Sequence, residues 1–128
     1  MLTKQISVFL ENRGGRLSEV LSVLKASGVN ILSLSLADTS DYGLLRIIVD
    51  DSEKGKEALS SQGFSAKVSM VTVVNISHAV GSLNDLVVKL AEKNINIEYM
   101  YGLSLYGENA SIVIKTSDPE LVEKILNE

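Results

Sequence analysis

Two short stretches carry the residue types that could do chemistry. The first is Asn12-Arg13-Gly14-Gly15-Arg16-Leu17, which follows an alternating apolar run (Ile6, Val8, Leu10) and leads into a helical pattern from Leu17. A strand that turns through glycines into a helix leaves the first backbone N–H groups of that helix without intrahelical partners, at the positive end of its dipole. Such a turn can hold an anion or a carboxylate. The second stretch, Ser77-His78-Ala79-Val80-Gly81-Ser82-Leu83, repeats the layout 66 residues later, with His78 at the place of Asn12 and Gly81 at that of Gly15. A turn that needs positive φ accounts for each glycine as well as a ligand does. The recurrence therefore points to a shared backbone conformation that serves fold and function alike.

Other chemistry has little to work with. There is no cysteine and one histidine, which excludes disulfides, thiolate nucleophiles and a multi-histidine metal centre within one chain. Asp38, Asp41, Asp50 and Asp51 fall where turns and helix caps belong, and nothing spaces them as a catalytic pair. No catalytic residue, metal ligand or cofactor is expected. An acylphosphatase-like hydrolase would use Arg13 or Arg16 with Asn30, but it needs a longer loop than this one. The net charge of −4 and the absence of any Lys/Arg run argue against nucleic acid and anionic membrane as partners. An RNA-reading sheet would also need aromatics on its central strands, where only Phe9 stands. No apolar run reaches the ~18 residues of a membrane span, and residues 1–5 do not read as a signal peptide. A cytoplasmic protein is expected.

The elements that must position the two turns follow from periodicity. Leu17, Val20, Leu21 and Leu24 make a helical stripe, with Gly28 as its left-handed stop. Residues 29–38 read as a strand with Leu32, Leu34 and Leu36 on one face and serines on the other. Turn formers at 39–43 lead to a strand at 44–49, broken only by Arg46, which would snorkel or pair with an acid such as Asp50. A short helix at 53–61 follows its cap region. Residues 64–76 form a β-like run too long for one ordinary strand, so two are expected, near 65–69 and 71–77.

The second half repeats this grammar. Leu83, Leu86, Val87 and Leu90 give the stripe, Asn94 stands at the place of Gly28, and Ile95-Asn96-Ile97 matches Val29-Asn30-Ile31. Asn30 and Asn96 either turn the chain after the helix or contact a ligand. A strand at 98–106 carries Tyr99 and Tyr101, which pack or form a lid over an apolar ligand side chain. A turn, a strand at 110–115 and a helix begun by Ser117-Asp118-Pro119-Glu120 complete it. The fold class is α+β: two ferredoxin-like βαββαβ units in tandem, residues 1–69 and 70–128, with antiparallel sheets and helices on one face. The second unit is short by its last strand.

The turn at Glu11-Asn12-Arg13-Gly14-Gly15-Arg16-Leu17, its helix, and Gly28-Val29-Asn30-Ile31 resemble the signature of ACT domains. The tandem arrangement is similar to small stand-alone proteins built from two such domains, over essentially the whole chain. The resemblance implies a regulatory module without catalysis, in which a free amino acid binds as an allosteric effector at the interface of two ACT units. By position it implicates Asn12, Arg13, Gly14, Gly15 and Leu17 with Asn30 and Ile31. In the second unit it implicates His78, Val80, Gly81 and Leu83 with Asn96 and Ile97. It also implies a homodimer or another protein partner. An oligomerisation scaffold without a small ligand is the alternative. The family pattern has Pro-Gly in the turn. Here Gly14 and Val80 stand in place of the proline, and a Gly-Gly turn orders only at an entropic cost.

Overall fold

Alternation of Ile6, Val8 and Leu10 with Ser7, Phe9 and Glu11 gives β1 (Leu2–Glu11) one dry face, and the three aliphatics are buried there. The computed structural model of the protein describes residues 1–11, 14–38, 42–102 and 109–127. After β1 come α1 (Arg16–Ala26), β2 (Ile31–Asp38), β3 (Tyr42–Val49), α2 (Ser52–Ser61) and β4 (Ser65–Ser77). Then follow α3 (Ser82–Glu92), β5 (Ile97–Gly102), β6 (Asn109–Thr116) and α4 (Pro119–Leu126). The chain divides into two compact units, Lys4–Ser69 and Met70–Glu128, and the second of them also includes Met1–Thr3.

In the N-terminal unit the strand order is β2-β3-β1-β4. The register sets Ile6 opposite Ile47 and Val8 opposite Leu45, and sets Leu34 and Leu36 opposite the same two β3 residues. Cross-strand partners share a face, so all six point to the helix side. Val20 and Leu24 of α1 and Leu59 of α2 close over that face. Asp51 caps α2 by accepting from the Lys54 N–H at 3.1 Å. The buried Gly55 lets α2 approach the sheet: a Cβ there would meet Ile6 Cδ1 at 3.2 Å. Leu34 and Leu36 remain 52% and 48% exposed, because β2 is the edge strand of this unit.

The C-terminal unit has the order β4-β6-β5. Val74 stands opposite Ile112 and Met100 opposite Ile114, under Leu86 and Leu90 of α3 and Val122 and Ile125 of α4. Asp118 caps α4 through the Leu121 N–H at 3.1 Å. The caps Asp51 and Asp118 lie 67 residues apart, whereas the first helices and strands repeat at 66, so the second unit gains one residue between β5 and β6. Each edge strand carries a bulge at the same place, Leu32 in β2 and Glu98 in β5.

One expectation needs correction. Residues 65–77 form one strand of 13 residues rather than two. No glycine or proline interrupts them, and nothing else in the run forces a turn. The second unit, as expected, shows three strands among the described residues, and the chain's first residues lie beside the first of them. The Val73 N–H donates to the Met1 carbonyl at 2.8 Å and the Met1 ammonium donates to the Val73 carbonyl at 2.7 Å, which lays Met1–Thr3 along the side of β4 away from β6. Glu123 of α4 holds the same ammonium at 2.9 Å. The expected strand at 98–106 ends at Gly102 as far as it is described, and residues 103–106 and the turn residues 39–41 lie outside the described residues.

Candidate functional site

Both turns deliver a glycine to the start of a helix in the left-handed region. Gly15 has φ 88° before α1, and Gly81 has φ 87° before α3. An L side chain is disfavoured in that conformation by about 1–2 kcal/mol, so the repeat preserves these glycines for a backbone reason. Gly14 differs: its φ is not positive and a Cβ there would find open space. Among the described residues no side chain caps α1 or α3, whereas aspartates cap α2 and α4. The first helical bonds run from the Glu19 N–H to the Gly15 carbonyl (3.0 Å) and from the Asp85 N–H to the Gly81 carbonyl (2.9 Å). At the start of α3 the Ser82 N–H donates to the Ala79 carbonyl at 3.2 Å. The first-turn donors that follow it, like those of α1, have no intrahelical acceptor.

Around these glycines the predicted site residues are arranged as follows. Asn12 and Arg13 lie outside the described residues. Leu17 is half-buried against the N-terminal core. His78 and Gly81 are exposed, Val80 is fully so, and Leu83 is 43% exposed. The Ser77 and Ser82 hydroxyls meet at 2.7 Å and close the base of the second turn.

Asn30 and Ile31 are elsewhere. The Asn30 N–H donates to Asp50 Oδ1 at 3.0 Å, and its carbonyl accepts from the Asp50 N–H at 3.0 Å, which fastens the start of β2 to the end of β3. Asp50 is therefore engaged by Asn30. Arg46 sits in the ladder between Ser7 and Ser35. The Asn30 residue is exposed and Ile31 half-buried, as are Asn96 and Ile97 in their turn. In each unit the glycine turn and the strand start lie at opposite ends of an 11-residue helix, about 16 Å long at 1.5 Å per residue. The structure brings Gly14, Gly15 and Leu17 together, and Asn30 and Ile31 together, but keeps the two groups apart within a unit. Tyr99 and Tyr101 share the β5 face with Lys115 and Val113, while Met100 points into the core.

Sequence reasoning missed the hollows beside the first turns of α1 and α3. The first, of about 360 Å³, is lined by Arg16, Glu19, Val23, Gln62 and Phe64 among others. The Arg16 guanidinium lies over the Phe64 ring at 4.3 Å and pairs with Glu19 at 2.6 Å. The i,i+3 pair was legible in the sequence, but the stack on a ring 48 residues away was not. The second hollow, of about 370 Å³, is floored by Val74, Ile76, Leu86 and Leu126 and rimmed by Ser77, Ser82, Asp85 and Lys89. A larger hollow, of about 680 Å³, lies along α2 between Lys4, Lys56, Glu57 and Val68 and contains none of the predicted residues.

Among the described residues no cluster of His, Cys, Asp or Glu is placed to hold a metal, and no helix is long and apolar enough to cross a membrane. What the turns offer is a set of backbone donors flanked by aliphatic side chains. That arrangement can orient a carboxylate.

A family model described as an ACT domain pair matches residues 1–128. No curated protein matches the chain. Among solved structures, a Bacteroides thetaiotaomicron protein is 34% identical, covering 99% of this chain and 88% of its own, with a TM-score of 0.92. The regulatory subunit of aspartate kinase from Thermus thermophilus is 17% identical over 97% of this chain and 90% of its own, with a TM-score of 0.68. The corresponding subunit from Thermus flavus is 18% identical over 99% and 94%, with a TM-score of 0.69. These two likenesses are likenesses of fold.

Proposed function

The chain belongs to the family of ACT domain pairs, and from that premise we propose that it is a regulatory module that binds a free amino acid and has no catalysis of its own. The observation that carries the reading is the contrast in capping. In both units the helix after the first strand starts at a left-handed glycine with no side-chain cap among the described residues, while the helix after the third strand is capped by aspartate. First-turn N–H groups left in this way suit a carboxylate. That two fold neighbours are regulatory subunits supports a regulatory role over a catalytic one.

In this reading the amides at Gly15 and Leu17, with Asn12 and Arg13, take the effector carboxylate. Asn30 takes the ammonium, and Leu17 and Ile31 flank the side chain. His78, Val80, Gly81 and Leu83, with Asn96 and Ile97, form the counterpart, and the two ACT units are residues 1–69 and 70–128. The turn and the strand start are too far apart in one unit to meet on one amino acid, so a second copy of the chain completes the site. The exposed edge strand β2, with Leu32, Leu34 and Leu36 at 62%, 52% and 48% exposure, supports self-association. The same edge favours the second reading, a scaffold that assembles through a protein partner without a ligand. The effector is drawn from the cytoplasmic pool.

A thermal-melt screen against the twenty amino acids tests this. One chemical group should raise the melting temperature selectively, by the equivalent of about 2.7 kcal/mol at a hundredfold excess over the dissociation constant. Asn12→Ala and His78→Ala then show which turn binds. A flat response at millimolar ligand, with a tight dimer in sedimentation, replaces the effector reading with the scaffold one.

A further inference from the structure

The internal repeat extends into the two cores, and at one junction the matched positions exchange size. Under α2 the buried Gly55 meets the sheet, where a Cβ would lie 3.2 Å from Ile6 Cδ1 and 3.5 Å from Val29 Cγ1 and Val49 Cγ2. The registers locate the same junction under α4. Thr72 stands opposite Ile114 as Ile6 stands opposite Ile47. Thr116 stands opposite Ile97 as Val49 stands opposite Ile31. Counted from the caps Asp51 and Asp118, Val122 holds the helix position of Gly55. Ile95 follows its helix as Val29 follows α1. Ile6, Val29, Val49 and Gly55 in one unit thus answer to Thr72, Ile95, Thr116 and Val122 in the other.

Two of these exchanges offset one another. Val122 brings a branched side chain where Gly55 has none, and Thr72 lacks the terminal methyl that Ile6 presents to Gly55. Thr116 keeps the size of Val49. Ile6, Thr72 and Val122 are each fully buried, so none of them can relieve a misfit by turning to solvent. The Thr72 hydroxyl makes no hydrogen bond to a described residue, and burying it in that way is a cost. What threonine supplies there that isoleucine does not is room. In an interior packed to crystal-like density, a change of one methyl group is felt by its neighbours.

We propose that this reciprocal exchange makes each sheet select its own second helix: Ile6 with Gly55, and Thr72 with Val122, are two matched pairs that do not interchange. A valine at the α2 position drives its methyls past the 3.2 Å contact into Ile6, which Val29 and Val49 hem in. A glycine at the α4 position leaves a void over Thr72. The choice is real, because α2 and α4 follow equivalent strands and start from equivalent aspartate caps. Misassembly between like units is a characteristic failure of repeat chains as they fold. A misfit built against the wrong partner, on both sides, is how near-equivalent partners are kept apart. Neither glycine turn takes part, so the selection is independent of effector binding.

Double-mutant cycles on the full chain test this. Amide hydrogen exchange reads the opening of each unit, at Leu45 and Ile47 for the N-terminal one and at Ile112 and Ile114 for the C-terminal one. Gly55→Val should raise the opening constant of the N-terminal unit about tenfold more, or beyond, in the parent chain than in an Ile6→Thr background. Thr72→Ile should lower the opening constant of the C-terminal unit about tenfold further, or beyond, in a Val122→Gly background than in the parent chain. If Gly55→Val abolishes protection at Leu45 and Ile47, its return on adding Ile6→Thr meets the expectation, and its continued absence overturns the proposal. Coupling below about tenfold in either unit also overturns it, because selection has to work in both directions.

Discussion

At the scale of single residues, the adjacent glycines of the first turn do different work. Gly15 holds φ 88° and Gly14 does not have positive φ, although both have open space where a Cβ would stand. Conformation, not crowding, is therefore what alanine would test. Gly15→Ala is expected to cost about 1–2 kcal/mol, read as a lower urea midpoint at unchanged slope. Gly14→Ala is expected to be neutral or slightly stabilising, because it narrows the unfolded ensemble. Gly81, at φ 87°, should behave as Gly15 does. Equal costs at 14 and 15 would mean that the left-handed start of α1 is not where strain lies. Arg16 adds a second residue-scale lesson: its ion pair with Glu19 is local, but its stack on Phe64 exists only because α2 ends beside α1's first turn.

Among the elements, α2 is the least apolar in sequence and is seated by a glycine. Gly55 faces Ile6, Val29 and Val49, with would-be Cβ distances of 3.2, 3.5 and 3.5 Å. Gly55→Ala gains about 1 kcal/mol of helix propensity and meets one tight contact at the far end of a flexible isoleucine, so a near-neutral effect is expected. Gly55→Leu overpacks the same space and should destabilise by about 2–3 kcal/mol, seen in thermal melts of the two variants side by side. If leucine were tolerated as well as alanine, the close approach of α2 would be dispensable. The bulges at Leu32 and Glu98 belong to this scale too. Both units place the extra residue one position into the edge strand, so the bulge is a property of the repeated element rather than of either side chain.

For the whole molecule, the chain's first residues matter to its second unit. Met1–Thr3 cluster with residues 70–128 through the Val73 backbone and Glu123. The Met1 ammonium, by hydrogen bonding first and charge second, holds the Glu123 carboxyl below its ordinary value of 4.5. A carboxyl depressed in the folded state contributes stability that is present above the unfolded value and lost as the pH falls through the folded one. Glu123→Gln should therefore lower the melting temperature at pH 7, and the difference from the parent chain should vanish as the pH drops below about 4. A difference that persists undiminished in acid would assign the effect to packing of α4.

Much of this architecture follows from local rules. Period-2 and period-3.6 patterns, the Asp51 and Asp118 caps, Gly28 and Asn94 in the left-handed region (φ 71° and 60°) and the 66-residue echo determined two α+β units and their glycine turns. Each of these depends on residues within a few positions of one another, and such preferences are written in sequence. What depended on distant partners was decided by the tertiary structure. The run at 65–77 became one strand because nothing local breaks it and separate neighbours take up its two parts, and Met1 took a place beside Val73 that its own sequence does not announce. The separation of Gly15 from Asn30 along α1, and the stack of Arg16 on Phe64, are likewise set by where helices end against a sheet. Periodicity says which face of an element is apolar, but packing alone decides what meets it.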